Sequence, residues 1–185
     1  MKTESTALYV LRLAVTLLVI TAVVAGLLAG VNSVTKPVID QLNAEKTQKA
    51  IETVLEGGYH TVIEDYADAT GLVSKVYQGD NGYALEVTPG GFDNTITMMV
   101  GVDAEGKVTG ISIIDHSETA GLGAVAAAKT SKGEAFRAQF VGMSGSVGTA
   151  KRGTGTLDAI TGATITSEAV CTGVNAALDC VANFG

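Results

Sequence analysis

The run Asp158-Ala159-Ile160-Thr161-Gly162-Ala163-Thr164-Ile165-Thr166 gathers three threonine hydroxyls and one carboxylate within nine residues. A helix-like run, Ser167 to Val181, follows at once, with Glu168 expected in its first turn. The first turn of a helix has backbone N–H groups without intrahelical partners and carries partial positive charge. It is therefore a natural seat for a phosphate. Gly162 and Ala163 leave room for a bulky group beside Thr164. Threonine is also a good N-cap, so the same residues can serve to start the helix. Asp158 reads equally well as a turn or cap carboxylate. Both histidines, His60 and His116, lie far off in sequence. With no base at hand, the Thr164 hydroxyl does not read as a catalytic nucleophile.

A second candidate segment is His116-Ser117-Glu118-Thr119-Ala120-Gly121-Leu122-Gly123. It ends an expected strand and opens a small-residue helix, a place where ligands often sit. Its two glycines allow close approach of the backbone. Gly-Leu-Gly is not a dinucleotide fingerprint, because Ala126 stands where the third glycine belongs. The bland alternative is a helix start with an acidic first turn. His116 reads more simply as a polar strand-end residue than as a ligand group. Lys151-Arg152, ahead of Gly153 and Gly155, can offset phosphate charge or stand as a solvated basic pair.

The elements that must position these segments follow from periodicity. Tyr59–Tyr66 and Leu72–Tyr77 are short strand candidates, split by Ala69-Thr70-Gly71. Tyr83–Thr88, Thr95–Val102 and Val108–Asp115 are stronger strand signals, rich in β-branched residues. The turn at Asp103-Ala104-Glu105-Gly106 is short enough to demand an antiparallel hairpin. Ala124–Lys129 and Gly133–Phe140 look helical, and Ser144–Gly155 is a loop rich in Gly, Ser and Thr. Strands followed by helices imply an α+β fold with an antiparallel sheet and flanking helices. There is no internal repeat.

Upstream, Leu13 to Val31 is 19 residues without a charge, the length of one membrane-spanning helix. A signal-peptide core is shorter, and Asn32-Ser33-Val34-Thr35 offers no small-x-small cleavage site, so a retained anchor is expected. Gly26 and Gly30 form a Gly-x-x-x-Gly pair; it suits close helix packing and equally the general abundance of glycine in such spans. Lys2 and Arg12 before the span are matched by Lys36, Lys46 and Lys49 after it, so basic residues do not decide its orientation. A helix with apolar positions from Val38 to Leu55 should follow as a stalk and end at Gly57-Gly58. The expected organisation is thus a tail at 1–12, a transmembrane helix at 13–35, a stalk at 36–58 and a domain at 59–185.

Residues 32–185 hold 10 Lys and Arg against 18 Asp and Glu, a net charge of −8. That balance argues against nucleic acid and against anionic lipid headgroups as partners. The two cysteines, Cys171 and Cys180, are nine residues apart on one expected helix. They then lie roughly 13.5 Å apart along the axis on opposite sides, too far for a disulfide. With only two histidines besides, a zinc or iron–sulfur site has almost no support.

The Asp158…Thr161-Gly162-Ala163-Thr164…Thr166 run resembles the flavinylation motif of the FMN-binding domains in the RnfG and NqrC families. The Glu118-Thr119-Ala120-Gly121-Leu122-Gly123 run resembles their Glu-Thr-Pro-Gly-Leu-Gly loop, with Ala120 in place of the usual proline, which makes the loop less rigid. Motif likeness covers about residues 82–182; the anchor and stalk match in order and length. The resemblance implies FMN joined through its phosphate to Thr164 by a separate flavin transferase, with Asp158 helping to present the acceptor. It implies that Asp158, Thr161, Gly162, Ala163, Thr166, Glu118, Thr119, Gly121, Leu122 and Gly123 border the cofactor. It further implies an electron-transfer subunit of an ion-translocating ferredoxin:NAD oxidoreductase in the cell (inner) membrane, with the N-terminus cytoplasmic, the domain outside and other complex subunits as partners. Length favours RnfG over NqrC, which is usually longer. An NqrC-like subunit of a sodium-pumping NADH:quinone reductase and a tethered protein with a non-covalent ligand are the alternatives. The span holds no ionisable residue, so ion movement falls to partners.

Overall fold

The computed structural model describes residues 6–150 and 155–184. Lys151-Arg152 lie outside the described residues. The chain divides into two compact units, Met1–Glu45 and Lys46–Gly185.

The first unit is helical. Helix α1, Thr6–Val54, begins here and is unbroken through Pro37, so the expected anchor and stalk form one helix. It is long and apolar enough to cross a membrane, and its large apolar side chains from Leu8 to Leu42 are exposed. Three threonines along it turn their hydroxyls back onto the helix: Thr16, Thr21 and Thr35 donate to the carbonyls of Arg12, Leu17 and Val31.

In the second unit five strands form an antiparallel meander: β1 Thr61–Ile63, β2 Val73–Gln78, β3 Gly82–Val87, β4 Thr97–Asp103 and β5 Val108–Asp115. Successive side chains in a strand point to opposite faces, and here both faces are apolar. Val76, Leu85, Val87, Met98 and Val100 enter the main core, against Val170, Val174, Ala177 and Leu178 of helix α3, Thr164–Ala182, and Phe136 of helix α2, Ser131–Ala138. Tyr77, Ala84 and Met99 form a second cluster with Ala50, Ile51, Val54 and Leu55, at and just past the end of α1. The last turns of α1 are therefore part of the domain, where a stalk running to residue 58 was expected.

Glycines decide how closely these helices approach. Gly101 and Gly110 face each other across β4 and β5, and a Cβ on Gly101 would strike Val54 and Thr109. The Thr109 hydroxyl also donates to the Val54 carbonyl, pairing a group at the helix end that has no intrahelical donor. On the other face, a Cβ on Gly173 would stand 3.0 Å from Pro89 Cγ and 3.1 Å from Met98 Sδ.

The helical run read at 124–129 is a 3-10 turn, Gly123–Ala126, and α2 ends two residues before Phe140. Thr130 caps α2, its hydroxyl accepting from the Gly133 N–H. Asn175 pins the Gly-rich loop to α3 through two hydrogen bonds with the backbone of Val147, at 2.7 and 2.9 Å.

Candidate functional site

Helix α3 begins at Thr164, three residues earlier than its apolar periodicity indicates, and that shift builds the site. Ile160 to Ala163 is a tight turn closed by the Ala163 N–H on the Ile160 carbonyl, 2.9 Å. Its third residue, Gly162, has φ +79°, a conformation that a side chain resists. Ser167 then ties turn to helix: its hydroxyl donates to the Ala163 carbonyl and accepts from the Ile160 N–H. The N-cap is Ala163, which has no side chain to cap with. The first-turn N–H groups of Thr164, Ile165 and Thr166 thus keep their capacity for an external acceptor. Glu168 falls beyond this first turn; it accepts from the buried Thr149 hydroxyl.

Thr164, Ile165 and Thr166 line a hollow of about 330 Å³, together with Phe92, Glu118, Leu122, Gly123, Gly162 and Ala163. Glu118 is 8% exposed, and both of its oxygens accept hydrogen bonds. Oε1 takes the Phe92 N–H at 2.7 Å, and Oε2 takes the Thr166 hydroxyl at 2.6 Å. The carboxylate thereby joins the β3–β4 turn, the loop after β5 and the start of α3. A Cβ on Gly91 or Gly123 would fall inside contact distance of a Glu118 oxygen, so two glycines in separate loops make its seat. Around the hollow stand exposed apolar side chains, Phe92 at 64%, Ile165 at 48% and Leu122 at 44%.

The threonines of the motif part company. The Thr166 hydroxyl is buried and engaged by Glu118. Thr164 is half-buried on the wall of the hollow, and among the described residues no hydrogen bond engages its side chain. Thr161 and Asp158 lie on a second hollow, of about 540 Å³, with Gly121, Lys132, Phe136 and Gln139. Asp158 is held there by its backbone: its N–H donates to Gln139 Oε1 at 2.8 Å and its carbonyl accepts from Gln139 Nε2. The residue stays exposed. Thr119 is exposed and serves through its carbonyl, which accepts from the N–H groups of Leu122 and Ala124. Gly121, at φ +77°, makes the bend between the two hollows' lining segments. His116 is turned to its own loop, its Nδ1 accepting the Glu118 N–H at 3.2 Å. Phe92 and Gly91 escape a reading of the sequence; Pro89-Gly90-Gly91 reads only as a turn, and nothing local signals a partner 26 residues on.

FMN suits this constellation. An uncapped helix start accepts a phosphate, glycines admit a bulky group, and apolar side chains flank the opening as in most small-molecule sites. Both cysteines are free and buried in the core, away from the hollow.

Residues 91–179 match the FMN-binding domain family, and residues 1–54 match the RnfG N-terminal region. The chain is 34% identical to the G subunit of the Na(+)-translocating ferredoxin:NAD(+) oxidoreductase complex of Acetobacterium woodii, over 95% of this chain and 93% of that one. It is 31% identical to the G subunit of the ion-translocating oxidoreductase complex of Methanosarcina acetivorans, over 92% of this chain and 93% of that one. The G subunit of the ion-translocating oxidoreductase complex of Erwinia tasmaniensis is 32% identical, over 86% of this chain and 84% of that one. Relatedness at this level extends through anchor, sheet and site alike, and the chain belongs to the RnfG family of ion-translocating oxidoreductase subunits.

Proposed function

We propose that this chain is the electron-carrying G subunit of a membrane-bound ferredoxin:NAD oxidoreductase of the Rnf type, with FMN esterified through its phosphate to Thr164. FMN supplies reversible one- and two-electron redox chemistry. The chain's own residues do the rest. The first turn of α3 meets the phosphate with unpaired N–H groups. Gly162 and Gly123 keep the backbone close, and Phe92, Leu122 and Ile165 offer apolar surface to the ring system. The observation that carries the reading is the contrast among three hydroxyls. Among the described residues Thr164 borders the hollow unengaged, Thr166 is consumed by Glu118, and Thr161 belongs to another surface.

A flavin transferase is required for maturation, and the exposed Asp158 is the residue it reads beside the acceptor. The apolar helix α1 holds the protein in the lipid bilayer of the cell membrane, N-terminus inside and FMN domain outside, among the other subunits of the complex. The span carries no ionisable residue between Leu13 and Val31, so ions cross through those partners.

The test is flavin fluorescence of the protein band after SDS electrophoresis, from cells that also make the transferase. Fluorescence in the wild type and none in Thr164→Ala is the expected result. A dark wild-type band, beside a labelled control substrate, would overturn the covalent reading. A Thr164→Ala band as bright as wild type would move the bond to another hydroxyl.

A further inference from the structure

Glu118 is the one ionisable side chain among the nine residues that line the hollow. Among the described residues it has no cationic partner. Burying a carboxylate is costly unless hydrogen bonds replace its water, and even then an uncharged side chain of like shape would do the structural task at lower cost. Yet three segments converge to seat it: the Phe92 N–H and the Thr166 hydroxyl supply donors, while Gly91 and Gly123 give up their side chains to make space. Both oxygens are paired, so the structure leaves no polar atom of the side chain unsatisfied.

We propose that Glu118 is a positioning residue whose fixed negative charge in the wall of the hollow holds down the reduction potential of the bound flavin. The inference rests on the FMN reading above. In a hollow of about 330 Å³ any occupant stands close to that charge, and because Glu118 is buried, salt and water screen it less than a surface carboxylate. An electron arriving on the occupant adds negative charge unless a proton follows it. The carboxylate opposes that addition, so the oxidised form is favoured and the potential falls. The hydrogen bond from Thr166 also fixes the first turn of α3, so the charge and the attachment point are set by one group.

The experiment is spectroelectrochemical titration of the purified holoprotein, after in-gel fluorescence has shown the flavin to be attached. Glu118→Gln keeps an acceptor for the Phe92 N–H and a partner for Thr166 while removing the charge. An upward shift of its midpoint potential, with Glu118→Asp staying near wild type, is the expected result. An unshifted Glu118→Gln midpoint on a flavin-loaded, folded protein overturns this inference and leaves the FMN reading intact. Absence of flavin from the wild type removes both. If Glu118→Gln does not fold, Glu118→Met, uncharged and of similar length, decides on the same readout: an upward shift supports the proposal and no shift refutes it.

Discussion

The Thr166 hydroxyl donates a 2.6 Å hydrogen bond to Oε2 of Glu118, 48 residues earlier in the chain. Because both residues are buried, the loss of the hydroxyl leaves a carboxylate oxygen without its donor. Thr166→Val should therefore cost about 1–3 kcal/mol of stability, beyond what its shape change explains. Chemical denaturation of the detergent-solubilised protein measures it. A variant as stable as wild type would show that the pair contributes nothing.

Gly123 lies against the same pair, and a methyl group there would collide with Glu118 and Thr166 together. Its neighbours are side chains locked by hydrogen bonds, so they cannot easily give way. Gly123→Ala should destabilise by about 1–3 kcal/mol and reduce flavin loading. Gly121→Ala, with open space around it, tests φ strain alone. It should lose stability but spare the Glu118 seat. Equal flavin loss in both would argue against the collision.

The domain should fold from Lys46 and fail from Tyr59. A chain beginning at Tyr59 lacks Ala50, Ile51, Val54 and Leu55, each buried against the back of the sheet. Fully burying one large aliphatic side chain contributes roughly 1.5–3 kcal/mol, so three such losses approach the whole stability of a small domain. Circular dichroism and thermal melts of the two truncated chains compare them. A cooperative transition in the shorter chain would refute the packing role of α1.

Cys171 and Cys180 should be inert to alkylation while the protein is folded. Burial, helped by Glu168, pushes the Cys171 thiol up to about 12, and burial, helped by Asp68, pushes Cys180 up to about 11. The folded state thus holds these protons where the unfolded chain, near 9.0, releases them. Their contribution to stability is full below the unfolded value and is lost as pH rises through the folded ones. Iodoacetamide labelling at pH 8 should need unfolding, and melting temperature should fall between pH 9 and 12 by more than in a Cys171→Ala, Cys180→Ala double variant.

Local pattern was enough for most of the frame. Period-two runs marked β3, β4 and β5 within about two residues, with β5 matching at Val108–Asp115, because alternation reflects which face of a strand is buried. The uncharged run at Leu13–Val31 marked a helix long and apolar enough to cross a membrane, since only length and apolarity matter there. Both glycine-rich motifs were visible as segments, because tight turns demand particular residue types at particular offsets. Two things needed the tertiary structure. The first is where α3 begins and where the end of α1 docks: α3 starts at Thr164 because Ser167 braces the Ile160–Ala163 turn, and the last turns of α1 pack on the sheet where Gly101 and Gly110 leave a notch. The second is which motif residues share a surface. Residue types that suit a phosphate-bearing ligand are legible in the chain alone. It took the fold to draw Glu118, Phe92 and Thr166 together and to leave Asp158 and Thr161 on another hollow. Hydrogen bonds that span 26 and 48 residues leave no periodic trace in the chain, since they depend on how the sheet brings distant loops to one edge of α3.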